Sequence, residues 1–117
     1  MSLHQVKAAL TVTRHLARGN ELWMFVVVEG DAWPLKELVQ RALVKELAYV
    51  SGTGEESCRV FGLSSLPVTK RGKVMGRELE RLINHQALPN RERMRNPEII
   101  TEITRVIHIN HEDLEKF

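Results

Sequence analysis

A chain of 117 residues in which 17 Lys and Arg face 15 Asp and Glu, for a net charge of +2, and in which 43% of positions are hydrophobic, has the composition of one ordinary soluble domain. At this length roughly two thirds of the unfolded surface is buried on folding, so neither disulfide nor metal is needed for a core. Cys58 is the only cysteine, which excludes an internal disulfide and every Cys-rich zinc site. The longest apolar run, Leu22 to Val28, falls far short of the ~20 residues a membrane helix requires, and the N-terminus carries no signal-peptide pattern, so the chain reads as cytoplasmic. Met1-Ser2-Leu3 fits none of the periodic segments that follow and reads as a cloning remnant.

Val6 to Val12 mixes small and β-branched residues and predicts a strand, with Arg14 to Asn20 as a polar connection. Glu21 to Val28 is a continuous β-branched and aromatic run closed by Gly30, the pattern of a strand buried on both faces and the centre of the core. From Pro34 the period changes: Leu35, Leu38, Val39, Ala42, Leu43 and Leu47 fall at helical spacing with charged residues opposite. Asp31 ahead of that segment and Pro34 in its first turn suit a helix start. Ser51 to Ser57 has no apolar residue and two glycines and predicts an exposed loop, after which Cys58 to Leu63 resumes a strand pattern.

Pro67 and Gly72 make 64–72 irregular. A second helix is predicted over about Val74 to His85, with Met75, Leu79, Leu82 and Ile83 on one face. Asn96-Pro97-Glu98 is a helix-start signal, the Asn as cap and the Pro at the first position, and Ile99, Ile100, Ile103 and Ile107 then form a third amphipathic segment. Strand, strand, helix, strand, loop, helix, helix predicts an α+β fold: a small mixed or antiparallel sheet with helices packed on it and a C-terminal helical tail.

Local charge says more about chemistry than net charge. Between Lys70 and Arg81 five cations face two anions, enough to attract a phosphate-bearing small molecule, and a second cluster follows at Arg91, Arg93 and Arg95. Leu66-Pro-Val-Thr-Lys-Arg-Gly-Lys73 offers a Pro-stiffened entry, the Thr69 hydroxyl, the flexible Gly72, and Lys73 presented between a loop and a helix start. An ammonium held there can neutralise charge shared by a carboxylate and a phosphate in a transition state. The segment is not a P-loop, which would need Gly at Pro67 and Ser or Thr at Val74.

That segment resembles the Leu-Pro-x-Thr-x-Ser-Gly-Lys motif near the C-terminus of AMP-forming adenylating enzymes, among them acyl-CoA synthetases, peptide-synthetase adenylation domains and luciferases. Upstream, Glu21 to Asp31 and the Pro34 helix resemble the strand, polar turn and helix that precede the motif in that family, so the likeness spans roughly Val6 to Ile83. Downstream, Arg81-Leu-Ile-Asn-His85 and Met94-Arg-Asn-Pro-Glu-Ile-Ile100 are similar to the tail of acetoacetyl-CoA synthetases. The resemblance implies a lid-like C-terminal domain over residues 4–88 and a helical extension over 89–117. It implies that Lys73 is the adenylation lysine, with Gly72 and Thr69 lining the nucleotide. ATP and CoA would be the substrates, Mg2+ would accompany ATP in the full enzyme without being bound by this domain, and the partner would be a large N-terminal domain in the same or a separate chain. The sequence departs from the family in three respects: Arg71 replaces the usual Ser, nothing before Val6 resembles the hinge and Gly-rich loop of the thioester-forming step, and the large domain is absent. On that reading the chain is inactive alone. A free-standing, non-catalytic α+β binding or regulatory module is the alternative.

The remaining candidates read as structural. Trp23 and Phe25 alternate as core residues of a strand. His4, His15, His85, His108 and His111 make no metal set, only His108 and His111 being close in sequence. Cys58, with no His at nucleophile spacing, reads as a small buried apolar residue. The basic segments lack interleaved aromatics, so nucleic acid is not an expected partner, and the short apolar run makes a membrane an unexpected one too.

Overall fold

The computed structural model describes residues 6–28, 37–87 and 91–115, with side chains described as far as His108. The chain forms two compact units, 1–66 and 67–117. That division is one of packing, and is distinct from the homology boundary expected between 88 and 89.

In the first unit, strand β1 (Val6–Arg14) pairs antiparallel with β2 (Glu21–Val28), and β2 pairs in parallel with β3 (Cys58–Gly62), giving a three-stranded mixed sheet of order β1-β2-β3. Helix α1 (Glu37–Ser51) lies in the crossover between the two parallel strands, the connection such a pair requires. Val39 and Leu43 of α1 join Val26 and Val60 in a buried cluster, flanked by Val6, Met24 and Val44. The Gln40 side chain also donates to the Val60 carbonyl at 2.6 Å. The alternate residues of β2, Trp23 and Phe25, are fully buried and stack obliquely with Phe61, whose ring lies 4.7 Å from Trp23 and 5.6 Å from Phe25. Two aromatic or β-branched sets on opposite faces explain why β2 reads as an almost unbroken apolar run.

In this unit two boundaries and one residue's burial differ from the sequence pattern. β1 continues through Thr13 and Arg14, which pair with Leu22 and Glu21, because the Arg14 guanidinium is buried against the Trp23 ring rather than left in a polar connection. α1 takes in Ser51, expected in the loop, and Gly52 at φ +74° ends it with its N–H on the Ala48 carbonyl. Leu38, expected on the apolar face, is 70% exposed, so the buried stripe is Val39, Leu43 and Leu47. The expected helix start at Asp31, Pro34 and Leu35 lies outside the described residues. Within the predicted loop, Glu55–Ser57 forms one 3₁₀ turn.

In the second unit, α2 (Gly76–Ile83) and α3 (Ile99–Glu115) pack on one another. α2 starts later than Val74 because Val74 is held in a backbone bridge to Val68. It ends before His85, which sits at φ +59° while its N–H reaches the Leu82 carbonyl and that of Gln86 reaches Arg81, a left-handed helix stop. Ile99, Ile103 and Ile107 form the buried stripe of α3, and Ile100 is half-buried. Among the described residues no helix is long and apolar enough to cross a membrane.

Candidate functional site

Lys73 stands at the exit of a hairpin that residues 68–74 close upon themselves. Val68 and Val74 bridge in antiparallel fashion; inside them the Thr69 N–H donates to the Lys73 carbonyl at 2.8 Å, and the Gly72 N–H donates to the Thr69 carbonyl at 2.8 Å. Lys70, Arg71 and Gly72 are thus a three-residue hairpin loop whose last position is left-handed, with Gly72 at φ +87°. An L-residue with a side chain disfavours that conformation, so the glycine has a conformational reason to be there. The Thr69 hydroxyl adds a third tie, accepting the Lys73 N–H at 3.0 Å.

A second segment from farther along the chain is laid against this hairpin. Arg91–Arg93 form a 3₁₀ turn, after which Met94 bridges Thr69. The Lys70 N–H donates to the Arg93 carbonyl at 3.0 Å and the Arg95 N–H donates to the Val68 carbonyl at 2.9 Å. The Val68 N–H donates to the Asn96 side-chain oxygen at 3.1 Å, so the side chain expected to cap the helix binds the hairpin. The Asn96 main-chain oxygen accepts the Ile99 N–H at 3.0 Å where α3 begins.

The two segments enclose an open cleft of about 480 Å3 lined by Thr69, Lys70, Arg71, Lys73, Glu92 and Arg93. Four cations and one carboxylate surround it, and the charged side chains are exposed. Among the described residues no carboxylate forms an ion pair with Lys73. Such a cleft favours an anionic ligand by its field, and its exposed ammonium can approach a ligand brought from outside. Thr69, Gly72 and Lys73 are therefore brought together, with Thr69 and Gly72 engaged through the hairpin's own hydrogen bonds. Sequence reading placed the Arg91, Arg93 and Arg95 cluster apart from Lys73; the bridge between Thr69 and Met94 unites them.

A polar cluster at the end of the sheet in the first unit was not anticipated. Glu21 is buried, accepts the Trp23 indole N–H at 3.0 Å, and pairs with Arg59 at 3.3 Å. The Arg14 guanidinium lies 5.3 Å from the Trp23 ring centroid, a cation–π contact. Burial pulls the Arg14 pKa below its ordinary value, and the charge of Glu21 opposes that shift. Cys58 is buried, and desolvation pushes its thiol pKa up, the Ser51 hydrogen bond acting the other way and Glu56 and Glu55 adding to the rise. It is a poor nucleophile. His15, His85 and His108 are exposed, while His4 and the His111 side chain lie outside the described residues. Among the described residues no three His, Cys, Asp or Glu stand where they could hold a metal ion.

No family model matches the chain, and no curated protein matches it. Among solved structures, acetoacetyl-CoA synthetase from Streptomyces lividans is similar, with a TM-score of 0.68 and 15% sequence identity over 92% of this chain. The match takes in 16% of that protein, so this chain spans a small part of the length of the structure it resembles. At this identity the likeness is one of fold.

Proposed function

We propose that the chain is the C-terminal domain of an AMP-forming acyl-CoA synthetase of the acetoacetate–CoA ligase type, with Lys73 serving the adenylation step. The observation that carries this reading is the hairpin itself. Gly72 in a left-handed conformation and the Thr69 ties hold Lys73 exposed at the rim of a cationic cleft, in a chain whose fold matches part of an acetoacetyl-CoA synthetase. The large nucleotide-binding domain is the partner, and the chain alone is inactive.

In the reaction, a carboxylate oxygen of the acid attacks the α-phosphorus of ATP as the bond to the bridging oxygen breaks, and pyrophosphate leaves with that electron pair. Negative charge grows on oxygens shared by the acyl and phosphoryl groups. The Lys73 ammonium, within reach of both, stabilises that charge without giving up its proton. Gly72 lets the backbone come close to the nucleotide, and Thr69 holds the loop's shape. CoA sulfur then attacks the acyl carbon and AMP departs. Mg2+ would accompany ATP in the full enzyme, supplying charge neutralisation at the phosphates without being bound by this domain, and the reading places the enzyme in the cytoplasm.

The test joins the chain to a matching large domain, in one polypeptide or as two, and follows acid-dependent ATP–pyrophosphate exchange. Lys73→Ala should lower exchange on the order of 10²- to 10³-fold, the loss expected for one electrostatic contact to a transition state, with ATP binding far less affected. Exchange equal to wild type would leave the non-catalytic module as the reading.

A further inference from the structure

We infer that Arg95 is the positioning residue for the lysine loop: its guanidinium, brought in by the segment after Met94, clamps the tip of the hairpin from outside. The inference rests on the reading of Lys73 above for its catalytic consequence, though not for the clamp itself. The hairpin's internal hydrogen bonds tie Thr69 to Gly72 and Lys73, but none of them restrains the carbonyl of Lys70 at the turn. Arg95 does so, donating from Nη2 to the Lys70 oxygen at 2.7 Å.

The same guanidinium lies over Gly72. A β-carbon built on Gly72 would meet Nη2 at 3.5 Å and Nη1 at 3.7 Å, ordinary contact distances, so both nitrogens face the one residue whose left-handed backbone sets the loop's path. The main chain of Arg95 is anchored independently, its N–H on the Val68 carbonyl at 2.9 Å. The side chain therefore reaches the loop from a fixed base, and the planar fork can donate to a carbonyl while covering the neighbouring residue, which a lysine ammonium cannot match. Arg95 restrains Lys70 and Gly72, and through them the direction in which the chain delivers Lys73. The cleft is lined by Arg93 and not by Arg95, which separates the clamp from the cations that face a ligand.

Amide hydrogen exchange on the 117-residue chain tests the clamp without any reaction. In Arg95→Ala the Gly72 amide should exchange about three- to tenfold faster, as expected for loss of one charge-assisted hydrogen bond at an exposed site, while the Leu79 and Asn84 amides associated with α2 keep their rates. Arg95→Lys should be intermediate, and it decides the matter should Arg95→Ala not fold. An unchanged Gly72 amide, or equal acceleration of Gly72, Leu79 and Asn84, overturns the clamp. In the enzyme joined to its large domain, Arg95→Ala should lower the kcat of exchange about three- to tenfold with the KM for ATP unchanged; a rise in KM alone would make Arg95 a ligand contact and overturn the positioning role. A Gly72 amide that responds while Lys73→Ala leaves exchange untouched would keep the clamp and remove the lysine's catalytic role.

Discussion

Thr69 and Lys73 bond to each other twice: the Thr69 N–H donates to the Lys73 carbonyl at 2.8 Å, and the Lys73 N–H donates to the Thr69 hydroxyl at 3.0 Å. The threonine thus shapes the lysine's backbone through its side chain. Thr69→Val keeps the branched shape and removes the acceptor. It should cost about 0.5–1 kcal/mol in the second unit and, on the proposed function and with the large domain joined, lower ATP–pyrophosphate exchange less than Lys73→Ala does. Thr69→Ser, which restores the hydroxyl, should recover exchange; a Ser variant as impaired as the Val variant would point to the methyl group instead.

Gly72 at φ +87° predicts a different kind of loss. Since a β-carbon there would meet the Arg95 guanidinium only at ordinary contact distance, Gly72→Ala is penalised by its backbone conformation and not by a clash. The expected destabilisation is about 1–2 kcal/mol in urea unfolding, offset by a few tenths through the stiffer unfolded chain. Gly72→Asn, which tolerates the left-handed region better, should lose less. Equal losses for Ala and Asn would contradict the conformational account.

The order of elements was legible because each carries its own period: the unbroken run of β2, the helical spacing of Val39, Leu43 and Leu47, the isoleucines of α3. Leu38 was misplaced because spacing alone does not say how wide the buried stripe is, and only the sheet beneath α1 sets that width. In the hairpin, the turn at Gly72 and the exposed position of Lys73 were legible because turn chemistry is local. Arg95 could not, since its role depends on a backbone bridge between Thr69 and Met94 that joins positions far apart in sequence. Glu21 was hidden for a related reason: a glutamate opening a strand looks solvated until Trp23 and Arg59 are seen to satisfy it.

Glu21→Ala should therefore do more damage than a surface glutamate would. It leaves the Trp23 indole N–H without its acceptor and removes the partner of Arg59. Because Arg59 is 41% exposed and can regain water, the cost should stay near 2 kcal/mol and not reach the full penalty of a broken buried pair. Urea unfolding measures it, and Arg59→Met should cost distinctly less. A surface-like loss below about 0.5 kcal/mol for Glu21→Ala would show that the cluster contributes nothing to stability.

His85 occupies at φ +59° the left-handed stop after α2, a position glycine fills without strain. His85→Gly should stabilise the second unit by about 0.5–1 kcal/mol, the relief exceeding the added flexibility of the unfolded chain. The gain should appear as slower exchange of the Gln86 amide, which donates to the Arg81 carbonyl at 2.8 Å. Faster exchange there would show that the imidazole itself holds the helix end.

Burial raises the Cys58 thiol above its ordinary value, with Glu56 and Glu55 adding to the rise and Ser51 opposing it, and this fixes the sign of a pH effect. In the unfolded chain the thiol loses its proton first, while the folded protein still holds it, so unfolding releases a proton in that window. Stability from this group is fully present below the ordinary thiol value of 9.0 and is lost as pH climbs from there toward the raised folded value. The slope for a single proton cannot exceed about 1.4 kcal/mol per pH unit. The informative quantity is the difference between wild type and Cys58→Ala in urea unfolding across pH 8–10, on the order of the range where free thiols ionise. Wild type should lose its advantage as pH rises, and iodoacetamide should label Cys58 slowly at neutral pH while labelling the urea-unfolded chain readily. Parallel stability curves for the two proteins would mean that the thiol ionises as easily inside the fold as in water.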